Sequence, residues 1–186
     1  MSEPARLFDP RQFRSTLGRF ASGVTIVTTR FEGHTHAMTA NAFVSVSLNP
    51  PLVLVAVDHR AAMHKFLPQT RRYGVSILAE HQEQLSNHFA GRAVEGLHVP
   101  FVTRNGMPLI EGAVAYFVVD VLDAHLAGDH TLFIGKVEHF ESNDGRPLLF
   151  YAGRYQQLRA EAPRPPKREE DDFSLFSMGS LDPPIM

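Results

Sequence analysis

The chain is expected to fold as a mainly β protein, an antiparallel barrel with Greek-key-like connections and a few peripheral helices, and three features lead there. Stretches rich in β-branched and apolar residues recur along the chain, each bounded by turn residues. They follow one another as hairpins instead of alternating with long amphipathic helices, which disfavours a doubly wound parallel sheet. Closing such a sheet into a barrel removes edges that would otherwise pair with other chains.

The first element reads as a helix. Asp9 is suited to cap it, Pro10 fits its first turn, and Phe13, Leu17 and Phe20 recur at three to four residues up to Gly23. From Val24 to Thr29 every residue is β-branched, and Gly33-His34 offers a turn into a second extended run, so the two read as a hairpin. Along Ala37 to Leu48 the even positions Met38, Ala40, Ala42, Val44, Val46 and Leu48 are all apolar, while the odd ones carry Thr39, Asn41, Phe43, Ser45 and Ser47. Alternate side chains of a strand face opposite sides, so one continuous strand here has a greasy face and a hydroxyl-rich one. Asn49-Pro50-Pro51 ends that run, and Leu52 to Val57 follows as an uninterrupted apolar strand of the kind covered on both sides.

Ala61 to Phe66 and Glu80 to Ala90 read as short helices, the second with Leu85 and Phe89 one turn apart, and Tyr73 to Leu78 as a strand between them. Arg92 to Pro108 reads as a glycine-containing loop. Ala113 to Leu122 and Thr131 to Phe140 are two long strands joined through Gly128-Asp129, and Asn143-Asp144-Gly145 is a further turn. Pro147 to Tyr151 is a last strand, and Gly153-Arg154-Tyr155 closes the folded part, so one domain is expected over 1–158. Residues 159–186 carry Ala-Pro-Arg-Pro-Pro-Lys and the run Glu169-Glu170-Asp171-Asp172, a composition that buries little surface and reads as a flexible tail. Within it, Phe173 to Met178 is an apolar patch that either docks on a partner or second subunit or is incidental.

Composition narrows the chemistry. Of 186 residues, 44% are apolar and 20% charged, and no window is apolar over the length of a membrane span, as in an ordinary soluble globular chain. No secretory signal is visible at the N-terminus, so the cytoplasm is the expected location. The chain has no cysteine, which excludes disulfides, thiolate metal sites, iron–sulfur clusters and a cysteine nucleophile. A net charge of -2 without a basic block leaves no electrostatic footprint for nucleic acid. His34-x-His36, and His81 with His88, each offer two imidazoles without a third ligand, so no metal is expected. Neither a Gly-x-Gly-x-x-Gly or Walker loop nor a Gly-x-Ser-x-Gly elbow is present, and a chain without its own catalytic constellation suits a borrowed cofactor.

The hydroxyls of Thr39, Ser45 and Ser47 with the Asn41 amide suit a phosphate and the carbonyls and ring nitrogens of a heteroaromatic; the plainer alternative is a strand with its polar side in water. The whole string Met38-Thr39-Ala40-Asn41-Ala42-Phe43-Val44-Ser45-Val46-Ser47-Leu48-Asn49-Pro50-Pro51-Leu52-Val53 resembles the signature of the short-chain flavin reductases, the reductase components of two-component flavin monooxygenases. Similarity continues in Leu85 to Ala90, in Gly128 to Val137 and in Tyr151-Ala152-Gly153-Arg154-Tyr155, in family order from about Phe13 to Leu158.

That resemblance implies an FMN-binding split barrel and a homodimer with flavin near the subunit interface. It implies that Met38, Thr39, Ala40 and Asn41, with Ser45, Val46 and Ser47, contact the isoalloxazine and phosphate, and that Phe89, Ala90 and Arg92 form a second flavin-contacting segment. It further implies that His130, the catalytic candidate, lies beside a nicotinamide dinucleotide, with Gly153, Arg154 and Tyr155 on the nucleotide. These roles are chemically sound, since an imidazole stacks or donates a hydrogen bond and a guanidinium pairs with a pyrophosphate. The implied activity is hydride transfer from NADH or NADPH to FMN or FAD, with reduced flavin supplied to a separate monooxygenase. A non-enzymatic flavin-binding electron-transfer module is the rival, and Ser45-x-Ser47-x-x-Pro50-Pro51 weighs against an oxidase of a pyridoxine-like phosphate in a neighbouring architecture. The residues do not choose between the two flavins or the two nicotinamide dinucleotides.

Overall fold

The computed structural model describes residues 8–159; the expectations for the stretch from 160 onward, including Phe173 to Met178, lie outside the described residues. In chain order the elements are α1 (Pro10–Leu17), β1 (Ser22–Gly23), β2 (Thr25–Phe31), β3 (His34–Ala40), β4 (Phe43–Leu48), β5 (Pro51–Asp58), α2 (Met63–Thr70), β6 (Arg72–Ile77), α3 (Glu83–Phe89), β7 (Phe101–Arg104), β8 (Met107–Ile110), β9 (Ala115–Ala127), β10 (His130–Ser142), β11 (Leu149–Tyr151) and β12 (Arg154–Gln156). The fold is mainly β, as the sequence led us to expect.

Seven strands form one antiparallel sheet in the order β3-β2-β6-β9-β10-β5-β4. Its two outermost strands, β3 and β4, are consecutive in the chain and joined only by Asn41 and Ala42. Laid flat, seven strands would hold those edges roughly 29 Å apart, whereas a two-residue link spans about 11 Å at most. The sheet must therefore curl until its edges meet. The edges do not pair with each other along their length; at the seam the Ala56 N–H donates to the Ala42 carbonyl at 3.1 Å. The result is a barrel with a split, and the split falls at Asn41-Ala42.

Inside the barrel, Val27, Val53, Val55, Val57, Tyr73, Val75, Val119 and Phe133 pack with Leu67 and Met63 of α2, which plugs one end. Closely packed strands leave little room at two glycines. A Cβ on Gly74 would come within 2.8 Å of side-chain atoms of Leu109, Thr28 and Met107, and one on Gly135 would overlap the Val119 methyl and lie 2.8 Å from the Asp120 carbonyl oxygen. Tyr73 is fully buried and its hydroxyl has no partner, and burial alone pushes its pKa above the ordinary phenol range. A Tyr73→Phe variant removes an unpaired buried polar group, so we expect it to be more stable by about 1 kcal/mol, read as a higher denaturation midpoint.

Several sequence expectations are corrected here. The first helix stops at Leu17 with Gly18 as its cap, five residues before Gly23, and buries none of its residues: Phe13 is 50% exposed, Leu17 58% and Phe20 82%. Ala37 to Leu48 is two strands on opposite edges of the sheet, not one, and a register shift between Ser45 and Ser47 makes Val46 a bulge. The alternating greasy and hydroxyl-rich faces are lost at both breaks, and Val44, Val46 and Leu48 are exposed. Leu52 to Val57 lies between two strands, yet only Val53, Val55 and Val57 are buried, with Leu52, Leu54 and Ala56 half-buried on the outer face.

The Arg92 to Pro108 stretch is not wholly loop: it carries β7 and enters the β7–β8 hairpin, whose Asn105-Gly106 turn has φ of +45° and +76°. That dipeptide is a strong hairpin signal in the sequence itself. Gly153-Arg154-Tyr155 likewise does more than end the domain, since β12 pairs with β11 across a turn at Ala152-Gly153, both with positive φ, and β11 pairs with β1.

Candidate functional site

Two neighbouring cavities open at the split. One, of about 490 Å³, is lined by Met38, Thr39, Ala40 and Asn41 at the end of β3, by Phe89 and Ala90 at the end of α3, and by Asp58, Met63 and His130. The other, of about 380 Å³, is lined by Thr39, Ala40 and Asn41 again, with Ala90, Arg92, Gly153 and Tyr155. Asn41, whose side of the barrel lacks a paired strand, reaches both. The structure thus brings together ten of the residues singled out from the sequence: Met38, Thr39, Ala40, Asn41, Phe89, Ala90, Arg92, His130, Gly153 and Tyr155.

Four others are not brought there. Ser45, Val46 and Ser47 lie on β4, at and around the bulge, and line neither cavity, because the chain crosses from one edge of the sheet to the other at Asn41-Ala42. Arg154 is exposed on β12 and lines neither cavity, although its chain neighbours Gly153 and Tyr155 line the second. Thr39 lines both cavities, but its hydroxyl is already committed, donating to the Ser86 carbonyl at 2.7 Å.

Sequence reasoning missed the walls. The larger cavity is faced by the methyl groups of Ala37, Ala40, Ala42, Ala56, Ala61 and Ala62, drawn from β3, the seam, β5 and the start of α2. Small apolar walls leave a slot in which a flat ring system can lie, with polar groups at the rim. Ser86 and Glu83 of α3 were missed too; the Ser86 backbone carbonyl accepts from Thr39 of β3 while Ser86 Oγ lies 2.8 Å from the Tyr155 hydroxyl of β12, so one residue of α3 holds both strands at the smaller cavity. The alanine pattern is invisible in sequence because its members come together only when the sheet curls.

Charge at the rim is paired. Asp58 and His130 face each other across β5 and β10. The Arg60 guanidinium, with its Nη2 at 2.6 Å from Asp58 Oδ2, holds the Asp58 carboxyl well below the ordinary carboxylate range, and the hydrogen bond from the Arg60 backbone N–H adds to this. His130 Nδ1 is 2.7 Å from Asp129 Oδ1, and that contact lowers the Asp129 pKa. Behind this pair, His59 Nε2 and His64 Nε2 both meet the Thr131 hydroxyl, at 3.1 and 2.9 Å, which ties the end of β5 and the start of α2 to the residue after His130. Opposed carboxylate and guanidinium groups around a slot of methyls can orient a polar heteroaromatic and a phosphorylated ligand, while nothing there is arranged as a nucleophile with its base. Among the described residues no group of three side chains is gathered to hold a metal, and no helix is long and apolar enough to cross a membrane.

The flavin reductase like domain family matches residues 17–159. An NADH-dependent flavin reductase of a Rhodococcus species is 52% identical over 165 residues, which cover 85% of this chain and 94% of that one. The reductase component of the 4-hydroxyphenylacetate 3-monooxygenase of Thermus thermophilus is 40% identical over 78% of this chain and 95% of its own. Among solved structures, a flavin reductase in its native state superposes with a TM-score of 0.80 at 45% identity, covering 82% of this chain and 100% of that chain. The NADH:FAD oxidoreductase of Streptomyces globisporus, solved with NAD and FAD fragments, superposes with a TM-score of 0.78 at 38% identity, covering 86% and 100%. With the signature residues at the split of the barrel, and with matches of this length and identity, the chain belongs to the flavin reductase like domain family.

Proposed function

We propose that this protein takes a hydride from NADH, delivers it to FMN or FAD, and releases the reduced flavin to a separate monooxygenase. The observation that carries this reading is that Thr39 to Asn41, from the middle of the signature string, and His130, from the Gly-Asp-His stretch far along the chain, line one alanine-walled cavity. The relatives' names support NADH as donor and a monooxygenase as the receiver. NADPH stays the alternative donor to be measured beside it.

The residues fit such a cofactor. Met38 to Asn41, Phe89 and Ala90 would hold the ring of a flavin against the alanine walls, and Arg92, beside the smaller cavity, would meet its phosphate. Bound flavin supplies the hydride-accepting chemistry, so the chain's task is to orient and shield. His130, braced by Asp129, borders the cavity where a nicotinamide ring would approach, and Gly153 and Tyr155 frame the nucleotide. A site of small polar and methyl groups, without a covalent anchor, suits a flavin that must leave after each turnover. Mixing the protein with either flavin and NADH, and following the nicotinamide absorbance, tests the activity: flavin-dependent oxidation is expected. A preparation that keeps its flavin through dialysis yet ignores both NADH and NADPH would make it an electron carrier instead.

We further infer a homodimer. Phe20, Val44, Val46 and Leu48 are exposed around the outer side of the split, and a depression of about 660 Å³ bordered by Leu17, Phe20, Phe43 and Val44 continues the patch. Contiguous apolar surface of this kind is normally covered by a partner. Ser45, Val46 and Ser47 are assigned to this interface and not to the ring slot. A Phe20→Asp/Val44→Asp variant is expected to run as a monomer by light scattering where the parent runs as a dimer. The working unit is taken as residues 1–158, with 159–186 as an appendage, and its place of action as the cytoplasm.

A further inference from the structure

A third pocket, of about 450 Å³, lies where α1 meets the β11–β12 turn, and Arg11, Arg14, Arg19, Ser15, Gly18 and Gly153 line it. Arg11 and Arg14 are three residues apart, so their stems share one face of the helix. Arg19, just past the helix end, donates from Nη1 to the Tyr151 hydroxyl at 3.3 Å, which brings it to the same turn. The Ala152 N–H donates to the Gly18 carbonyl at 2.8 Å and clamps the turn to the helix end.

The three guanidiniums share one pocket and have no carboxylate partner among the described residues, a lack they share with Arg30, Arg71, Arg92 and Arg154. Arg60, Arg72, Arg104 and Arg146 each meet a carboxylate within 4.0 Å, whereas among the described residues Arg11, Arg14 and Arg19 meet none. Asp9, the nearest carboxylate in the chain, is occupied as the cap of α1, accepting from the Arg11 backbone N–H at 2.8 Å. Like charges gathered around one hollow repel one another until an anion joins them, and planar guanidiniums match phosphate oxygens best. The pocket also adjoins the site described above, because Gly153 lines both it and the cavity that holds Thr39, Asn41 and Tyr155.

We propose that this pocket takes the adenosine-side phosphate of a dinucleotide cofactor. The inference rests on the proposed function for the identity of the ligand. Two sources of such a phosphate exist in that reaction, FAD and NADH, and FMN has none. If the phosphate is that of FAD, the arginine trio beside the flavin cavity favours the dinucleotide flavin over FMN; if it is that of NADH, the trio serves the hydride donor with either flavin.

The test uses the full-length protein and equilibrium titrations by flavin fluorescence with FAD and with FMN, together with the KM for NADH. In an Arg14→Ala/Arg19→Ala variant the Kd for FAD, or the KM for NADH, is expected to rise about tenfold, the loss of roughly one charge-assisted contact. The Kd for FMN is expected to stay within twofold, and Arg14→Lys/Arg19→Lys to recover most of the loss. A rise confined to FAD places the flavin's adenosine half in the pocket, and one confined to NADH places the nicotinamide dinucleotide there. Unchanged values for both, or an equal rise for FMN, overturn the assignment. The two readings fail separately: a parent protein that oxidises no NADH sinks the activity, while an active parent with indifferent arginine variants sinks only the pocket.

Discussion

A His130→Ala variant is expected to show a KM for NADH raised about tenfold, with the KM for either flavin held within twofold. His130 opens β10, paired with Asp58 on one side and Ala127 on the other, and its side chain is 40% exposed at the rim of the alanine-walled cavity. Its ring is not free to turn, because Nδ1 is engaged by the Asp129 carboxylate. Loss of one oriented hydrogen-bonding or stacking surface corresponds to about 1.4 kcal/mol, hence the tenfold figure. The hydrogen bond with His130 lowers the Asp129 pKa, so the carboxylate form, and with it the orientation of the ring, is kept across neutral pH and lost only as pH falls through that lowered value. Steady-state rates with each substrate varied in turn settle the matter: equal rises in both KM values would show that the ring supports the cavity in general and has no particular tie to the nicotinamide side.

A Gly135→Val variant should be the most damaging single change to the fold. Gly135 sits at a register shift between β10 and β9, opposite Val121, where the strands approach closely. Any side chain there meets the Val119 methyl and the Asp120 carbonyl, and Val119 is itself fully buried in the barrel. Neither neighbour has space to retreat, so the expected loss is about 3 kcal/mol or more, or roughly 6 to 12 °C in Tm. A thermal melt within 2 °C of the parent would mean the two long strands can part at that point without cost.

What could be read from the sequence followed from local rules. The hairpins, the capped first helix and the two long strands each rest on residue type and near neighbours, and they appear within a few residues of where they were placed. The β7–β8 hairpin was also legible, through Asn105-Gly106, and was overlooked. What was not legible depends on closure. Ser45 and Ser47 look like partners of Thr39 while the run is read as one strand, yet the break at Asn41-Ala42 sends them to the far edge of the sheet, and the bulge at Val46 then shifts their alternation. Thr39 and Asn41 stood out by the polar alternation of their run, whereas Met38, Ala40 and His130 were assigned to the site only through the resemblance, since their common cavity forms only across the curled sheet. The alanine walls and Ser86 carry no local signal, and of the arginine trio only the helical spacing of Arg11 and Arg14 does.

The short join between β3 and β4 also has a mechanical meaning. Because Asn41 and Ala42 are the covalent join between the lips of the barrel, the length of that strap sets a limit on how far the slot can gape. Adding one or two residues there would let the lips drift apart and slacken the grip on anything lying between them, with the hairpins on either side left whole.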